Sequence, residues 1–366
     1  MRRVVVFILK TMANFLTSNL VKAQSRLSKE FTAHEMREKV LPSLQIGLKG
    51  SNVLLGNTFE ELRKREDRPV SGYFMKRITS ATGAARTYNH TGSHGDSVEL
   101  PFTWTTISQT FSTSLKNMDT NIFGIEEAIY QGMKNCVLDI HAQIETSGIA
   151  YLQTNKTAVV SSINSGNPPG NYVTWNAGNQ TYEISADVKQ QFVQYADVAM
   201  KFNKYNMKNF DFIMDTKSFP QAEFWKSQGA GNFQNTAFQF AGNDIYPSIE
   251  LTDSNYVNGG LALCMPKGGF AMIPWIPKQN RLGVGDYNDY NGGFGSFIDP
   301  FTNPDGVYTG GLVFAVHGYA LRADNSSNNS VQQDLQMEFE VSVDIAMATS
   351  PLSNSNETVI YQFAQM

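Results

Sequence analysis

Cysteine and charge are both scarce in this chain of 366 residues, and each scarcity narrows the class of protein. The two cysteines, Cys136 and Cys264, lie far apart in unlike apolar contexts, which favours buried free thiols in a reducing compartment over a disulfide. Charged residues make up 17% of the chain, the formal net charge is -4, and no run of lysine or arginine stands out. Sequence-specific binding of nucleic acid is therefore not expected. The 41% hydrophobic content supports a packed core, and the length suggests two or three structural units.

The start of the chain lacks a complete targeting signal. The stretch MRRVVVFILK has two arginines and a short apolar run, but this run ends at Leu9 and no small-residue cleavage site follows closely. The run is also too short to span a bilayer. A second start-like methionine, Met12, opens MANFLTSNLVKAQSRLSKEF. We expect residues 1–11 to be an upstream extension without a structural role.

Residues 12–70 have too few apolar positions to close a core of their own. Short helical pieces, such as residues 58–66 (TFEELRKRE), are predicted to alternate with breakers at Pro42, Gly47, Gly50 and Gly56. We therefore expect an extended arm that is stabilised by a neighbouring surface.

A cluster of polar residues in RTYNHTGSHGDSVELPF, residues 86–102, raises the question of a metal site. His90, His94, Asp96 and Glu99 lie close together there, and two histidines four residues apart share a metal ion when a helix places them on one face. Here a Thr-Gly-Ser sequence, which favours a turn, separates the histidines, and no catalytic glutamate stands beside the first one. The pattern favours a solvated hairpin tip over a metal hydrolase.

The other catalytic and cofactor motifs are incomplete. Asp286, Asn288 and Asp289 resemble part of a calcium loop, but Tyr290 occupies the third ligand position and no glutamate closes the loop at the required distance. The stretch GGFGS does not introduce a helix, as a phosphate-binding loop must. We identify no nucleophile elbow, Walker loop or defensible pair of carboxylates. We therefore expect no enzymatic activity and no cofactor.

The strongest helix signal runs over residues 121–151. Apolar residues recur there at spacings of three and four, along a helix about 45 Å long at about 1.5 Å per residue. His141 lies beside this stripe with Glu145 one turn further on, and we expect the two to form a surface pair, the histidine packed or hydrogen-bonded rather than a ligand. The stripe consists of Ile122, Ile125, Ile129, Met133, Cys136, Ile140 and Ile144.

Two strand-like stretches flank the histidines, GYFMKRIT before them and SVELPFTWTTISQTFSTSL after them. The second alternates between two faces, with β-branched and aromatic residues at most positions. A long two-stranded ribbon is predicted, and it needs packing from elsewhere, for example from a partner subunit. Its exit strand places Phe102, Trp104, Thr106 and Ser108 on one face and Thr103, Thr105, Ile107 and Gln109 on the other.

A second amphipathic helix is predicted over residues 185–205. The buried strand and helix start in FDFIMDTKSFPQAEFW follow it, and GGLALCMPKGGFAMIPWIP continues the pattern, so a mixed α/β sheet is expected. The predicted buried face of the helix is Val188, Phe192, Tyr195, Ala199 and Phe202.

The clearest strand signal lies near the end of the chain, in DLQMEFEVSVDIAM. From Leu335 to Ile345 the apolar and polar residues alternate, which predicts one apolar face and one polar face. The preceding GLVFAVHGYALRAD and the polar turn DNSSNNS predict an antiparallel hairpin, in which His317 has a structural role.

This order of elements resembles the major capsid proteins of tailed phages of the Hong Kong 97 type. The resemblance covers nearly all of the chain and depends on element order together with FDFIMDTKSF, GNDIYPSIELTDSNY and ALCMPKGGFAMIPWI. It implies an α+β fold with an N-arm, an extended β-hairpin loop, a long spine helix, and peripheral and axial domains. The implied divisions are residues 1–70 (N-arm), 71–110 (extended loop), 111–180 (spine helix and peripheral domain), 181–315 (axial domain) and 316–366 (return to the peripheral domain).

The resemblance also implies partners and a location. Copies of the chain would form hexamers and pentamers of a shell around double-stranded DNA, which they contact non-specifically, with a portal, a separate scaffolding protein and no membrane. The location would be the virion capsid, assembled in the cytoplasm of a bacterial host. The extended loop would lie across the neighbouring subunit, and its contact residues would be Lys76, Arg77, Arg86, His90, His94, Asp96 and Glu99.

Three other hypotheses remain open at the level of sequence. A cellular compartment shell of the encapsulin type would share the fold. A β-rich adhesin or glycan-binding protein would account for loops rich in Asn, Gly and Tyr, such as DYNDYNGGFG. A metal hydrolase would use His90 and His94.

Overall fold

The computed structural model describes residues 22–23, 25–27, 41–55, 72–75, 97–100, 102–114, 124–157, 172–230, 245–275, 295–303, 311–324, 331–348 and 359–366. Its helices are α1 (Pro42–Leu55), α2 (Ile125–Thr154), α3 (Phe192–Phe202) and α4 (Phe219–Ala230). Its first strands are β1 (Gly72–Met75), β2 (Ser97–Leu100), β3 (Thr103–Ser114), β4 (Val173–Asn176), β5 (Thr181–Ile184), β6 (Phe210–Asp215) and β7 (Ile245–Ser248). The remaining strands are β8 (Leu261–Pro266), β9 (Phe270–Trp275), β10 (Gly295–Ile298), β11 (Val313–Asp324), β12 (Val331–Met347) and β13 (Tyr361–Gln365).

The chain divides into two compact units, and the mixture of sheets and helices confirms the predicted α+β class. Unit 1 takes residues 1–39, 104–144 and 274–344, and unit 2 takes residues 40–103, 145–273 and 345–366. Among the described residues, no helix is both long enough and apolar enough to cross a membrane.

Unit 1 contains a sheet in the order β10-β11-β12-β3. Strands β11 and β12 pair antiparallel from Ala315 opposite Glu340 to Asp324 opposite Val331, which confirms the predicted hairpin and places His317 opposite Glu338. The alternation predicted for β12 holds only in part. Gln336, Glu338 and Glu340 are half-buried between buried apolar neighbours, but Ser342 and Asp344 are buried as well. The polar face of β12 is therefore buried near the C-terminal end of the strand.

Unit 2 contains a six-stranded mixed sheet in the order β4-β5-β13-β8-β6-β7. The C-terminal strand β13 runs parallel to β5 and antiparallel to β8, and β6 runs antiparallel to β8 and parallel to β7. All six residues of β6 are buried, as expected for a central strand between two covered faces. The mixed sheet is confirmed, but β9 does not extend it, because β9 pairs with β12 instead.

Helix α1 corrects the prediction that Pro42, Gly47 and Gly50 break the chain. Pro42 is the first helical residue, where the missing N–H would have had no partner, and the helix continues through both glycines. A Cβ atom on Gly47 would lie 2.5 Å from Cγ of Met272, and one on Gly50 would lie 1.7 Å from the carbonyl oxygen of Phe270. The glycines therefore allow close packing of α1 within unit 2.

Helix α3 confirms the second amphipathic helix but moves its buried face. Residues 186–191 form a 3-10 turn, and the α-helix begins only at Phe192. Val188 and Tyr195 are half-buried, so the sequence pattern placed the stripe about one residue from its true centre. The buried residues are Phe192, Val193, Ala196, Ala199 and Met200.

Candidate subunit-contact surface

Strands β1 and β2 form a separate two-stranded antiparallel ribbon in unit 2. Its register places Gly72 opposite Leu100 and Tyr73 opposite Glu99. Tyr73 is 72% exposed, and Glu99 is exposed beside it. The described part of the ribbon thus presents an aromatic ring and a carboxylate to solvent. Of the seven predicted contact residues, Glu99 lies here, and Lys76, Arg77, Arg86, His90, His94 and Asp96 lie outside the described residues.

Strand β3 was predicted to belong to the ribbon and instead pairs with β12 in the sheet of unit 1. Its alternation is as predicted: Thr106 and Ser108 are exposed, whereas Ile107 is buried. On the inner face, the ring of Phe111 stacks on Phe339 at 6.4 Å between centroids. The sequence pattern identified the faces of β3 correctly but could not show which strand would pair with it.

The inner face of β3 lies against α2 in unit 1. A Cβ atom at Gly132 of α2 would lie 2.4 Å from the ring of Phe111, so glycine provides the room for this ring. The outer face continues the polar side of β12, because Oγ1 of Thr106 lies 2.9 Å from Oγ of Ser342. This hydroxyl pair explains how Ser342 is buried without loss of a hydrogen bond.

Helix α2 confirms five of the seven residues of the predicted stripe, because Ile129, Met133, Cys136, Ile140 and Ile144 are buried. Ile122 and the side chain of Ile125 lie outside the part that the structure describes. In unit 1, the first turns of α2 also contact a basic residue, Arg26. Arg26 forms an ion pair with Glu127, and its guanidinium lies 4.3 Å from the ring centroid of Tyr130. These contacts connect a residue of the predicted arm to the first turns of α2.

The expected surface pair of His141 and Glu145 is wrong, because both side chains are almost fully buried. In unit 1, Nε2 of His141 lies 3.0 Å from Oδ2 of Asp299, a carboxylate with no solvent exposure. Asp299 also accepts hydrogen bonds from the N–H groups of Phe301 and Thr302 and from the Thr302 hydroxyl. The histidine is hydrogen-bonded, as predicted, and it connects α2 to the turn that follows β10.

In unit 2, Glu145 caps the N-terminus of α1. Its Oε2 accepts hydrogen bonds from the Ser43 hydroxyl at 2.7 Å, from the Ser43 N–H at 3.0 Å and from the Leu44 N–H at 3.2 Å. The first N–H groups of a helix have no partner within the helix, so a carboxylate at this position satisfies them. Burial raises the pKa of Glu145 to about 7, although the Ser43 and Leu44 donors oppose this shift and the Glu250 charge adds to it.

The sequence did not identify Ser43 and Asp299 as the partners of these two residues. Each has a local signal: Ser43 follows a proline at a helix start, and Asp299 precedes a proline in IDPF, as a turn residue often does. Neither signal indicates which distant side chain completes the contact.

Burial raises the pKa of Cys136 to about 11 and also raises that of Cys264, so both remain thiols near neutral pH. Both cysteines are free and buried, as predicted. Within the described ranges, no three His, Cys, Asp or Glu side chains lie near enough to share a metal ion.

No protein-family model and no curated protein matches this chain. Among solved structures, it is similar to one from Mycobacterium phage Che8, with 11% identity over 83% of this chain and 90% of that chain, at a TM-score of 0.44. It is also similar to the capsid of Ralstonia phage GP4, with 8% identity over 81% of this chain and 84% of that chain, at a TM-score of 0.44. A third similar structure is the capsid of the cyanophage P-SCSP1u, with 10% identity over 81% of this chain and 83% of that chain, at a TM-score of 0.43.

Proposed function

We propose that this chain is a major capsid protein of a tailed bacteriophage, of the Hong Kong 97 type, with a structural and not a catalytic role. Its copies assemble into an icosahedral shell that encloses a double-stranded DNA genome. One observation carries the proposal: β3, the last described strand before the long helix α2, pairs with β12 near the end of the chain. The chain leaves a sheet through a 30-residue helix, contributes five strands to a six-stranded mixed sheet, and returns to the first sheet through β10, β11 and β12. It ends in β13, which completes the six-stranded sheet.

The proposed parts follow the order of these elements. Residues 1–70 are the N-arm, residues 71–110 the extended loop, and residues 111–180 the spine helix with part of the peripheral domain. Residues 181–315 are the axial domain, and residues 316–366 return to the peripheral domain. Two strands depart from these bounds: β13 lies in the six-stranded sheet beside β5 and β8, and β10 pairs with β11 in the sheet of unit 1. Two features support this assignment. Helix α2 has a buried apolar stripe, and among the described strands β1 and β2 pair only with each other. A two-stranded ribbon is only marginally stable alone, so contacts outside the pair must stabilise it.

The ribbon is the proposed contact with a neighbouring subunit. Tyr73 and Glu99 lie opposite each other, and both are exposed. Exposed aromatic rings such as Tyr73 are enriched at protein interfaces, and a charged group such as Glu99 fits the polar rim of an interface. The other proposed contact residues in the loop are Lys76, Arg77, Arg86, His90, His94 and Asp96.

The proposed partners follow from the shell. Copies of the chain form hexamers and pentamers, a separate protein acts as scaffold, and a portal occupies one vertex. Contact with packaged DNA is non-specific and weak, because a chain with a net charge of -4 offers few cationic groups to phosphates. Assembly takes place in the cytoplasm of the bacterial host, and the mature protein is part of the virion.

Shortening the loop tests this function. Residues 80–96 are replaced by a short Gly-Ser turn, which keeps β1 and β2 intact, and the chain is compared with the unmodified protein by circular dichroism and negative-stain microscopy. We expect a native-like spectrum, because loop closure changes by only about 0.6 kcal/mol per doubling of length. We expect capsomers at most and no closed particles, because the binding free energy lost at each repeated subunit contact accumulates over the shell.

A matched control shortens residues 160–170, between α2 and β4, in the same way and should still give closed particles. Normal shells from the variant lacking residues 80–96 would show that this loop does not join subunits. Failure of that variant to fold would show that the loop belongs to the core of its own subunit.

A further inference from the structure

Four exposed lysines, called here the lysine patch, lie on two neighbouring turns at one end of the six-stranded sheet of unit 2. Lys201, Lys204 and Lys208 lie in the last turn of α3 and in the connection to β6, and Lys267 lies in the turn between β8 and β9. Strands β6 and β8 are antiparallel neighbours, so β6 begins where β8 ends. The two turns contact each other directly, because the N–H of Lys267 donates a hydrogen bond to the carbonyl oxygen of Asn209 at 2.9 Å.

The two turns themselves carry no acidic residue. Residues 198–210 and 260–275 contain neither Asp nor Glu. Of the acidic residues on the adjoining elements, Asp197 forms an ion pair with Lys201 at 2.6 Å, and Asp211 is buried in β6. Positive charge is therefore concentrated on a small area of a chain whose net charge is -4.

Lys204 occupies a backbone position that favours glycine. The end of α3 has both hydrogen bonds of a Schellman motif, from the Tyr205 N–H to the Met200 carbonyl and from the Lys204 N–H to the Lys201 carbonyl. Lys204 takes the left-handed position of this motif, with a φ of 63°, where glycine has no steric penalty. A strained backbone position of this kind is often retained for a function of the side chain.

The dipole of α3 explains only part of the lysine patch. Cations near the C-terminus of a helix are stabilised by its dipole, which accounts for Lys201 and Lys204. This stabilisation falls off within the last turn of the helix, so it does not account for Lys208 or Lys267.

We propose that the lysine patch binds the phosphates of duplex DNA and is the surface through which this chain contacts the packaged genome. The inference rests on the proposed function and names the site of that contact. Lysine is a compact charge on a flexible stem, so it binds phosphate without reading the base sequence. Duplex DNA has one charge for about every 1.7 Å of its axis, whereas an extended acidic segment has at most one for about every 3.3 Å. Closely spaced lysines therefore suit DNA better than an acidic protein segment.

Binding by a single subunit should be weak and should depend strongly on salt. Since Asp197 is paired with Lys201, three lysines remain for phosphate contacts, and the slope of log affinity against log salt concentration is about -2.7. The affinity then falls about 200-fold between about 20 mM and about 150 mM salt. One subunit thus binds DNA measurably only at low salt, whereas the many copies in a shell add their weak contacts.

Fluorescence anisotropy on the full-length chain tests this inference, with a labelled DNA duplex of mixed sequence as the probe. The protein is kept at concentrations where sedimentation shows no assembly, and salt is varied from about 20 mM to about 150 mM. Lys204→Gln with Lys208→Gln should weaken binding at least about 10-fold at the lowest salt concentration and should reduce the magnitude of the salt slope by about 2.

The matched control is Lys189→Gln with Lys217→Gln. Both lysines are exposed, and they lie at the opposite ends of α3 and β6 from the lysine patch. The two double variants change the net charge equally, so general repulsion of DNA is the same in both. The control should weaken binding by less than about 3-fold and leave the salt slope unchanged.

Lys204→Gly separates DNA binding from folding. Glycine relieves the left-handed strain at the end of α3, so this variant should unfold at a higher urea concentration than the unmodified protein. It should nevertheless bind DNA at least about 3-fold more weakly, because it lacks one phosphate contact. If the double variant of Lys204 and Lys208 does not fold, this variant decides.

Three results would overturn the inference. They are no binding at the lowest salt concentration, equal weakening by the two double variants, and displacement of the probe by poly-glutamate at a lower charge concentration than by unlabelled duplex. The last result would assign the lysine patch to an acidic protein segment. Closed particles whose subunits bind DNA equally well without Lys204 and Lys208 would contradict this inference alone. A chain that binds DNA through the lysine patch but never forms shells would contradict the proposed function alone.

Discussion

The buried carboxyl of Glu145 should make unit 2 less stable as the pH rises. Burial raises its pKa from an ordinary value of 4.5 to about 7. Between these two values the folded state holds the proton and the unfolded state releases it, so the free energy of unfolding falls as the pH rises through this interval. One pKa unit corresponds to about 1.36 kcal/mol, so the full loss is about 3 kcal/mol. Above about pH 7 the contribution of Glu145 to the free energy of unfolding no longer changes with pH.

The variant Glu145→Gln isolates this effect. Glutamine stays neutral at every pH and keeps an oxygen that accepts hydrogen bonds from the Ser43 and Leu44 N–H groups at the start of α1. From pH 5 to pH 8 the unmodified protein should therefore lose about 2 to 3 kcal/mol relative to the variant. Urea unfolding of dissociated protein at several pH values, followed by circular dichroism, measures this difference. The exposed Glu223 of α4 supplies the control, and Glu223→Gln should change the pH dependence very little.

Parallel pH profiles of the unmodified protein and Glu145→Gln would refute this reasoning. They would mean that the three donors on α1 hold the carboxyl ionised in spite of its burial. The opposite slope, with the unmodified protein gaining stability relative to the variant as the pH rises, would mean that these donors lower the pKa below its ordinary value.

Three further predictions concern other contacts. Asp299→Ala should destabilise the protein by about 3 kcal/mol in urea unfolding, because it leaves His141 and the donors of the following turn buried without their acceptor. A change below about 0.5 kcal/mol would contradict the role given to this carboxylate. Gly50→Ala should lower the free energy of unfolding by about 3 kcal/mol or more, because its Cβ would collide with the Phe270 carbonyl. Gly124→Ala, whose Cβ would have nothing within 4 Å, should be close to neutral in the same assay. Equal effects of the two substitutions would refute the packing of α1. The isolated subunit should bind duplex DNA negligibly at physiological salt, and a submicromolar affinity in a fluorescence anisotropy titration would contradict this.

Local periodicity predicted the faces of the long elements well. The stripe of α2 from Ile129 to Ile144 is buried, and the alternation of β3 around Ile107 is observed. These patterns are visible in a sequence because a helix or strand that packs on one side must repeat its apolar residues with its own period.

Tertiary partners were not predictable in the same way. Ser342 and Asp344 continue a perfect polar alternation, yet both are buried, because β3 lies beside Ser342 and a pattern within one strand does not reveal its neighbour. Glycines in α1 were predicted to break the helix, since a sequence does not show that close packing requires them. The C-terminal strand β13, a central strand of the six-stranded sheet, is only five residues long and gave no distinct signal.

The candidate contact surface was predictable as a segment but not as a set of contacts. Turn residues around His90 and His94 indicated a hairpin, and the pairing of Tyr73 with Glu99 agrees with two strands that meet at its base. The pairing of β3 with β12 was not predicted, because the order of the whole sheet decides which strands become neighbours.

Negative-stain microscopy of the purified full-length chain, combined with sedimentation velocity on the same sample, tests the central claim most directly. The account predicts closed particles of uniform size, in equilibrium with capsomers at low protein concentration, without added metal or cofactor. A chain that stays a monomer or a small oligomer at every concentration, with or without a co-expressed scaffolding protein, would contradict it.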